Sequence, residues 1–170
     1  EKTDEIGYDT YTYWYEFTGK TRKAVYSKPM YEVYEVLDAH ELGCSSNARF
    51  TDVHTSKSGL TYLLDGGLST LFVLDENYEI LHKIDSVRDS DQNVYSFFDA
   101  QGIFVDNKEN IYIADTNNGR VMKFTINGAD STHGTLIKNY VLPNSDENNG
   151  NLIPDGFNYR PQKVAVDNEG

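Results

Sequence analysis

Cysteine occurs once in the 170 residues, at Cys44, which excludes an intrachain disulfide and any multi-cysteine zinc knuckle. Cations are scarce as well: 15 Lys and Arg stand against 27 Asp and Glu, a formal net charge of −12. A surface of that sign opposes nucleic acid, whose phosphates need a basic partner, and it opposes docking on an anionic leaflet. No apolar run approaches the roughly 20 residues that span a bilayer, so no membrane insertion is expected of this segment. The opening Glu1-Lys2-Thr3-Asp4-Glu5 lacks the apolar stretch of a signal peptide, and a start at Glu1 fits a processed or trimmed chain. With 4 Pro and 13 Gly the chain is punctuated without being low in complexity. The hydrophobic share is only 38%, yet 13 Tyr, 8 Phe and 1 Trp supply enough area for a core.

What is present is a repeat. Setting Asp65 against Asp115, an offset of 50, brings Val53 onto Ile103, Tyr62 onto Tyr112, Leu63 onto Ile113, Leu71 onto Val121 and Leu74 onto Phe124. Pro161–Gly170 lines up in turn with Ala100–Glu109. Short runs rich in Val, Ile, Leu, Tyr and Phe, bounded by Asn, Asp and Gly, predict strands. They fall near 50–55, 60–65, 70–75 and 79–85, and again near 102–106, 110–115, 120–126 and 136–142. Four antiparallel strands per repeat, each repeat unable to bury both faces alone, predict an all-β fold of β-propeller blades. Blade one then covers 50–85, blade two 101–142, and 161–170 starts a third, all within a repeat region of 50–170. The segment 1–49 stands apart, with an aromatic strand and a second strand, Tyr31–Leu37, of the kind that closes a propeller. Pro143–Arg160 is a polar surface loop.

Four groups of residues are candidates for chemistry. The aromatic run Tyr8 to Phe17 offers Tyr11, Tyr13, Trp14 and Tyr15 as a ligand-stacking face, against the plainer reading of a strand burying one aromatic side. Asp146, Asn148 and Asp155 are candidate calcium ligands within a loop that also holds Asn144 and Gly150. Counted from Asn144, Gly falls seventh and Asp155 twelfth, where an EF-hand loop has Gly sixth and a bidentate Glu twelfth. No other cofactor is expected. His40, His54, His82 and His133 form no i,i+2 or i,i+4 pair, and His54 aligns with Phe104, which favours packing. In the turn Asp115 to Arg120, Asp115 is expected to accept backbone N–H groups, Gly119 to take positive φ, and Arg120 to pair with a carboxylate of a neighbouring blade. No catalytic residue is assigned.

The stretch Gly102-Ile103-Phe104-Val105-Asp106, followed by Asn110-Ile111-Tyr112-Ile113-Ala114-Asp115-Thr116-Asn117-Asn118-Gly119-Arg120-Val121, resembles the NHL repeat family. Pro161–Gly170 is similar to the opening of a further such repeat, while Gly66-Gly67-Leu68-Ser69-Thr70 departs from the pattern. Tyr8–Trp14 and Met30–Leu37 resemble the mature start of exported NHL-repeat propellers of Gram-positive bacteria. The resemblance implies an extracellular location and a propeller of about six blades, of which this chain is an N-terminal fragment. It implies a non-catalytic binding or scaffolding module that contacts protein or carbohydrate through one propeller face. The rival expectation is a gluconolactonase-like hydrolase or lyase with a metal ion in its central channel. A piece with open strand edges is also expected to self-associate.

Overall fold

A computed structural model describes residues 12–27, 36–126, 132–141 and 156–167. The chain divides into two compact units, Glu1–Asp38 and Ala39–Gly170. In the first, β1 (Thr12–Thr18) and β2 (Thr21–Ser27) form an antiparallel hairpin, with Tyr13, Trp14 and Tyr15 opposite Tyr26, Val25 and Ala24. The strand expected at Tyr31–Leu37 falls mostly outside the described residues.

The second unit begins with a four-stranded antiparallel meander: β3 (Phe50–Thr55), β4 (Thr61–Asp65), β5 (Thr70–Leu74) and β6 (Ile80–Ile84). These strands follow the aliphatic and aromatic runs of the sequence to within a residue or so. A short hairpin comes next, β7 (Ser86–Arg88) and β8 (Val94–Ser96). A second meander follows, of β9 (Gly102–Val105), β10 (Ile111–Asp115), β11 (Arg120–Thr125) and β12 (His133–Tyr140). The hairpin joins this meander because β7 pairs parallel with β12, giving the order β8-β7-β12-β11-β10-β9. The chain is therefore all-β, antiparallel but for that one pairing, with no α-helix among the described residues and a single 3-10 turn at Thr116–Asn118. Pro161–Asp167 forms no strand, because its alternating pattern finds no ladder partner among the described residues.

Four of the hairpin turns use one device. In Asp75–Glu79, Asp89–Asn93 and Asp106–Asn110 the leading Asp accepts the N–H groups of the residues two and four places on. The residue three places on lies at positive φ: Tyr78 at 61°, Gln92 at 68°, Glu109 at 59°. Ser56–Leu60 has the same backbone bonds with Gly59, φ +88°, in that position, the one residue to which left-handed backbone costs nothing.

The core lies between the two sheets. Leu64, Leu71 and Val73 of the four-stranded sheet cluster with Ile103, Ile111, Ile113, Met122 and Phe124 of the six-stranded one, each at most 4% exposed. Phe97 enters the cluster from the segment that joins β8 to β9, its ring 5.9 Å from that of Phe124. Strand β10, flanked by β9 and β11, is buried along its whole length, so its opposite face is covered too. Tyr112 there is capped by the Lys123 ammonium, 5.0 Å from the ring centroid. Truncating a fully buried leucine such as Leu64 is expected to cost about 2–5 kcal/mol.

Candidate functional site

At one end of both sheets the second meander strand finishes in a buried aspartate. Asp65 closes β4 and Asp115 closes β10, and both are fully buried. Oδ1 of Asp65 accepts the N–H groups of Arg49, Gly67 and Leu68. Oδ1 of Asp115 accepts the N–H of Phe98 at 2.7 Å, and its Oδ2 takes Asn118 Nδ2 and Arg120 Nε, each at 2.8 Å. Each carboxylate thus ties the end of one strand to the chain leading into the first strand of its own meander. Gly119 takes φ +62°, as expected of that turn. The expected partner of Arg120 is corrected: its carboxylate is Asp115 of the same sheet, because the 3-10 turn folds the guanidinium back over its own strand end.

The chain so anchored presents Phe98 and Asp99. Phe98 is 58% exposed although its neighbour Phe97 is in the core. Its backbone is held from both sides, the N–H by Asp115 and the carbonyl by the N–H of Asn117 at 3.2 Å. A phenyl ring in solvent on a pinned backbone loses little entropy on meeting a ligand. Asp99 sits at φ +52°, a left-handed conformation that costs a non-glycine residue about 1–2 kcal/mol. Its carboxylate is the hub of the surface: Oδ1 accepts from Arg49 and from Gln101 Nε2 at 2.7 Å, and Oδ2 from Asn117 Nδ2 at 3.1 Å. Asn117 Oδ1 in turn accepts from Arg160. Phe157, 73% exposed, lies on the segment that brings Arg160 in.

Successive segments meet on this face at equivalent places. Thr51 Oγ1 donates to the carbonyl of Ala100 at 2.8 Å, and Thr116 Oγ1 donates to that of Pro161 at 2.6 Å; Ala100 and Pro161 are repeat equivalents. Asp52, Gly102 and Lys163 also share one repeat position. Asp52 Oδ2 accepts the Ile103 N–H and pairs with Lys163 Nζ, both at 2.9 Å, across Gly102. A Cβ on Gly102 would lie 2.4 Å from the Gln162 carbonyl oxygen, so only glycine admits this approach. Two residues further along the same strands, His54 packs its ring 5.0 Å from that of its repeat partner Phe104.

Titration on the face and around it follows the same contacts. Burial alone lifts Asp106, but bonds from the Asn110 side chain, the Asn110 and Lys108 N–H groups and the Tyr112 hydroxyl outweigh it and hold the acid below its ordinary range. Burial pushes the Tyr62 phenol up, and its bond to Glu109 at 2.8 Å pushes it further. Burial also raises the Cys44 thiol, with Asp65 adding to the effect and Lys83 opposing it, so Cys44 is not an activated nucleophile.

Of the residues singled out from sequence, Tyr13, Trp14 and Tyr15 lie on β1 of the first unit, while Tyr11 and the calcium candidates Asp146, Asn148 and Asp155 lie outside the described residues. Phe98, Asp99, Arg49 and Arg160 went unread. Their signal was available: the repeat alignment puts Arg49, Asp99 and Arg160 at one position, and of the adjacent pair Phe97-Phe98 a strand-like backbone can bury only one ring.

No family model matches the chain, and no curated protein matches it. Among solved structures it is similar to the crystal structure of a protein of unknown function from Bacteroides caccae, at 14% identity and a TM-score of 0.38. The match covers 58% of this chain and 33% of that one, so the chain spans about a third of the length of the protein it matches.

Proposed function

We propose that this chain is part of an extracellular, non-catalytic binding or scaffolding module of NHL-repeat propeller type, and that it contacts a protein or carbohydrate through the face centred on Asp99. The observation that carries the reading is the exposed ring of Phe98, on a backbone pinned by Asp115 and Asn117 and next in the chain to Asp99, whose carboxylate gathers Arg49 and Asn117; a second exposed ring, Phe157, lies on the segment that carries Arg160. Large apolar side chains in solvent beside planar hydrogen-bonding groups are the composition of a contact surface. The blade assignment is supported by the paired meanders and by equivalent residues meeting across them: His54 with Phe104, Asp52 with Lys163. The extracellular assignment draws on the resemblance of Tyr8–Trp14 and Met30–Leu37 to exported proteins.

The test is to present the protein to panels of glycans and surface proteins, with and without a chelator, beside the variant Phe98→Ser/Phe157→Ser. Both rings are exposed, so the variant keeps its melting temperature. A binder retained in chelator and lost in the variant supports the module. Binding or turnover that needs metal and ignores both rings would favour the metal-dependent hydrolase instead. The same reading makes the isolated 170-residue chain self-associate through edge strands β6 and β8, where Leu81 and Val94 are exposed. A monodisperse monomer in light scattering at tens of micromolar would contradict that.

A further inference from the structure

We infer that the ligand of the Asp99 face is a carboxylate-bearing glycan, a chain of sugar acids, stacked on Phe98 and held by Arg49 and Arg160. The inference rests on the reading of this face as a contact surface and names its chemistry.

The first argument is about what the backbone has left to offer. A bound peptide commonly gains affinity by adding a strand to a sheet edge, through main-chain hydrogen bonds. Beside Phe98 those groups are spent. The Phe98 N–H is on Asp115 and its carbonyl on Asn117. The Ser96 carbonyl, at the end of edge strand β8, takes both Asn118 Nδ2 at 3.0 Å and Arg120 at 2.9 Å. Recognition here has to come from side chains: the Phe98 ring and a set of planar amide, carboxylate and guanidinium groups. A pyranose ring presents an apolar C–H face to an aromatic ring and hydroxyls around its rim to such groups, and it needs no strand edge.

The second argument is charge. Arg49, Arg160 and Lys163 gather on this face of a chain that carries 15 cations against 27 anions. The Arg49 and Lys163 side chains are 54% and 65% exposed. Asp99 engages Arg49 and Asp52 engages Lys163, while among the described residues Arg160 donates to the neutral oxygen of Asn117. A guanidinium has five N–H donors in a planar fork that fits a carboxylate, so the single bond from Arg160 to Asn117 orients the fork without exhausting it. A neutral sugar would leave that cation without a counter-charge in the bound state; a uronate supplies one.

The experiment is calorimetric titration of the protein with oligogalacturonates and with their methyl esters, which keep the ring and remove the charge. The acid is expected to bind at least about tenfold more tightly than the ester, as a charge-assisted bond warrants. Arg160→Gln should weaken the acid more than the ester and so narrow the gap between them. Phe98→Ala should weaken both. Equal affinity for acid and ester, both dependent on Phe98, would overturn the charge inference and leave the contact face standing. A peptide or protein that binds in a Phe98-dependent way, with no binding of either saccharide, would overturn the glycan inference alone. Binding that ignores Phe98→Ala and Phe157→Ala would overturn the face itself.

Discussion

Asp65 and Asp115 hold the same place at the end of equivalent strands, yet only Asp115 has both carboxylate oxygens satisfied. Oδ2 of Asp65 is buried without a hydrogen-bond partner, because Leu68 and Thr70 stand where Asn118 and Arg120 serve Asp115. The two sites should respond differently to loss of charge. Asp115→Asn leaves Arg120 without its counter-charge in a nearly closed site and is expected to cost about 3–5 kcal/mol. Asp65→Asn keeps an acceptor for three N–H groups and is expected to stay within about 1 kcal/mol of neutral. Urea midpoints of the two variants, at equal slope, check the contrast.

Gly102 decides whether the Arg160–Lys163 segment can seat. Gly102→Ala puts a methyl 2.4 Å from the Gln162 oxygen and 2.9 Å from the Lys163 Cα, and both neighbours are backbone. The variant should lose about 1–3 kcal/mol. Amide hydrogen exchange should rise first at residues 160–163, before the core strands β4 and β10 lose protection.

Gln92 is an exposed residue at φ +68° in a turn whose counterpart at Gly59 is glycine. Gln92→Gly relieves a left-handed penalty of about 1–2 kcal/mol and adds unfolded-state entropy worth about 0.4–1 kcal/mol. The balance favours the variant by roughly 0.5 kcal/mol, read as a small rise in melting temperature. A fall in melting temperature would mean that the Asp89 turn is held by contacts other than its backbone bonds.

Acid should unfasten the turns. Asp89 and Asp106 are both held below the ordinary carboxylate range, Asp89 chiefly by the Asn93 side chain and Asp106 by bonds that outweigh its burial. A carboxylate whose folded pKa is depressed contributes stability that is present above its unfolded pKa and is lost as pH falls through the folded one. Stability is therefore expected to be insensitive to these groups at neutral pH and to drop once pH falls below the ordinary carboxylate range. In Asp106→Asn part of that drop should vanish, because the amide does not titrate. Urea titrations at several acidic pH values measure it.

How much of this was legible in the sequence follows from the range of the forces involved. The meanders were legible because five-residue aliphatic runs such as Thr61–Asp65 and Ile111–Asp115, punctuated by Asp and Gly, carry strand and turn in adjacent residues. The β7–β8 hairpin was not, since three residues such as Ser86–Arg88 are too few to show a period, although Asp89–Asn93 repeats the turn chemistry of Asp106–Asn110. Its parallel pairing with β12 depends on residues 47 positions apart, His133 and Ser86, which no local pattern encodes. The candidate face was legible in part, through the one repeat position that Arg49, Asp99 and Arg160 share. Arg49, Asp99, Asn117 and Arg160 are scattered along the chain, and only the stacking of the two sheets brings them together.

That parallel pairing has a consequence for the order of assembly. The chain leaves β6, touches down as β7 on the far side of a sheet whose other strands have not yet been made, and then crosses to β9 on the near side. During synthesis β7 waits, through every residue from 89 to 132, for the strand that will hold it. When β12 arrives, Arg88 donates to His133 Nε2 at 2.9 Å and the loop shuts. The later meander is thus buckled by a strap cut from the earlier chain. A second copy can exchange it only by opening the buckle, and any cut between Arg88 and Val94 leaves the strap attached at one end while the fold remains in place.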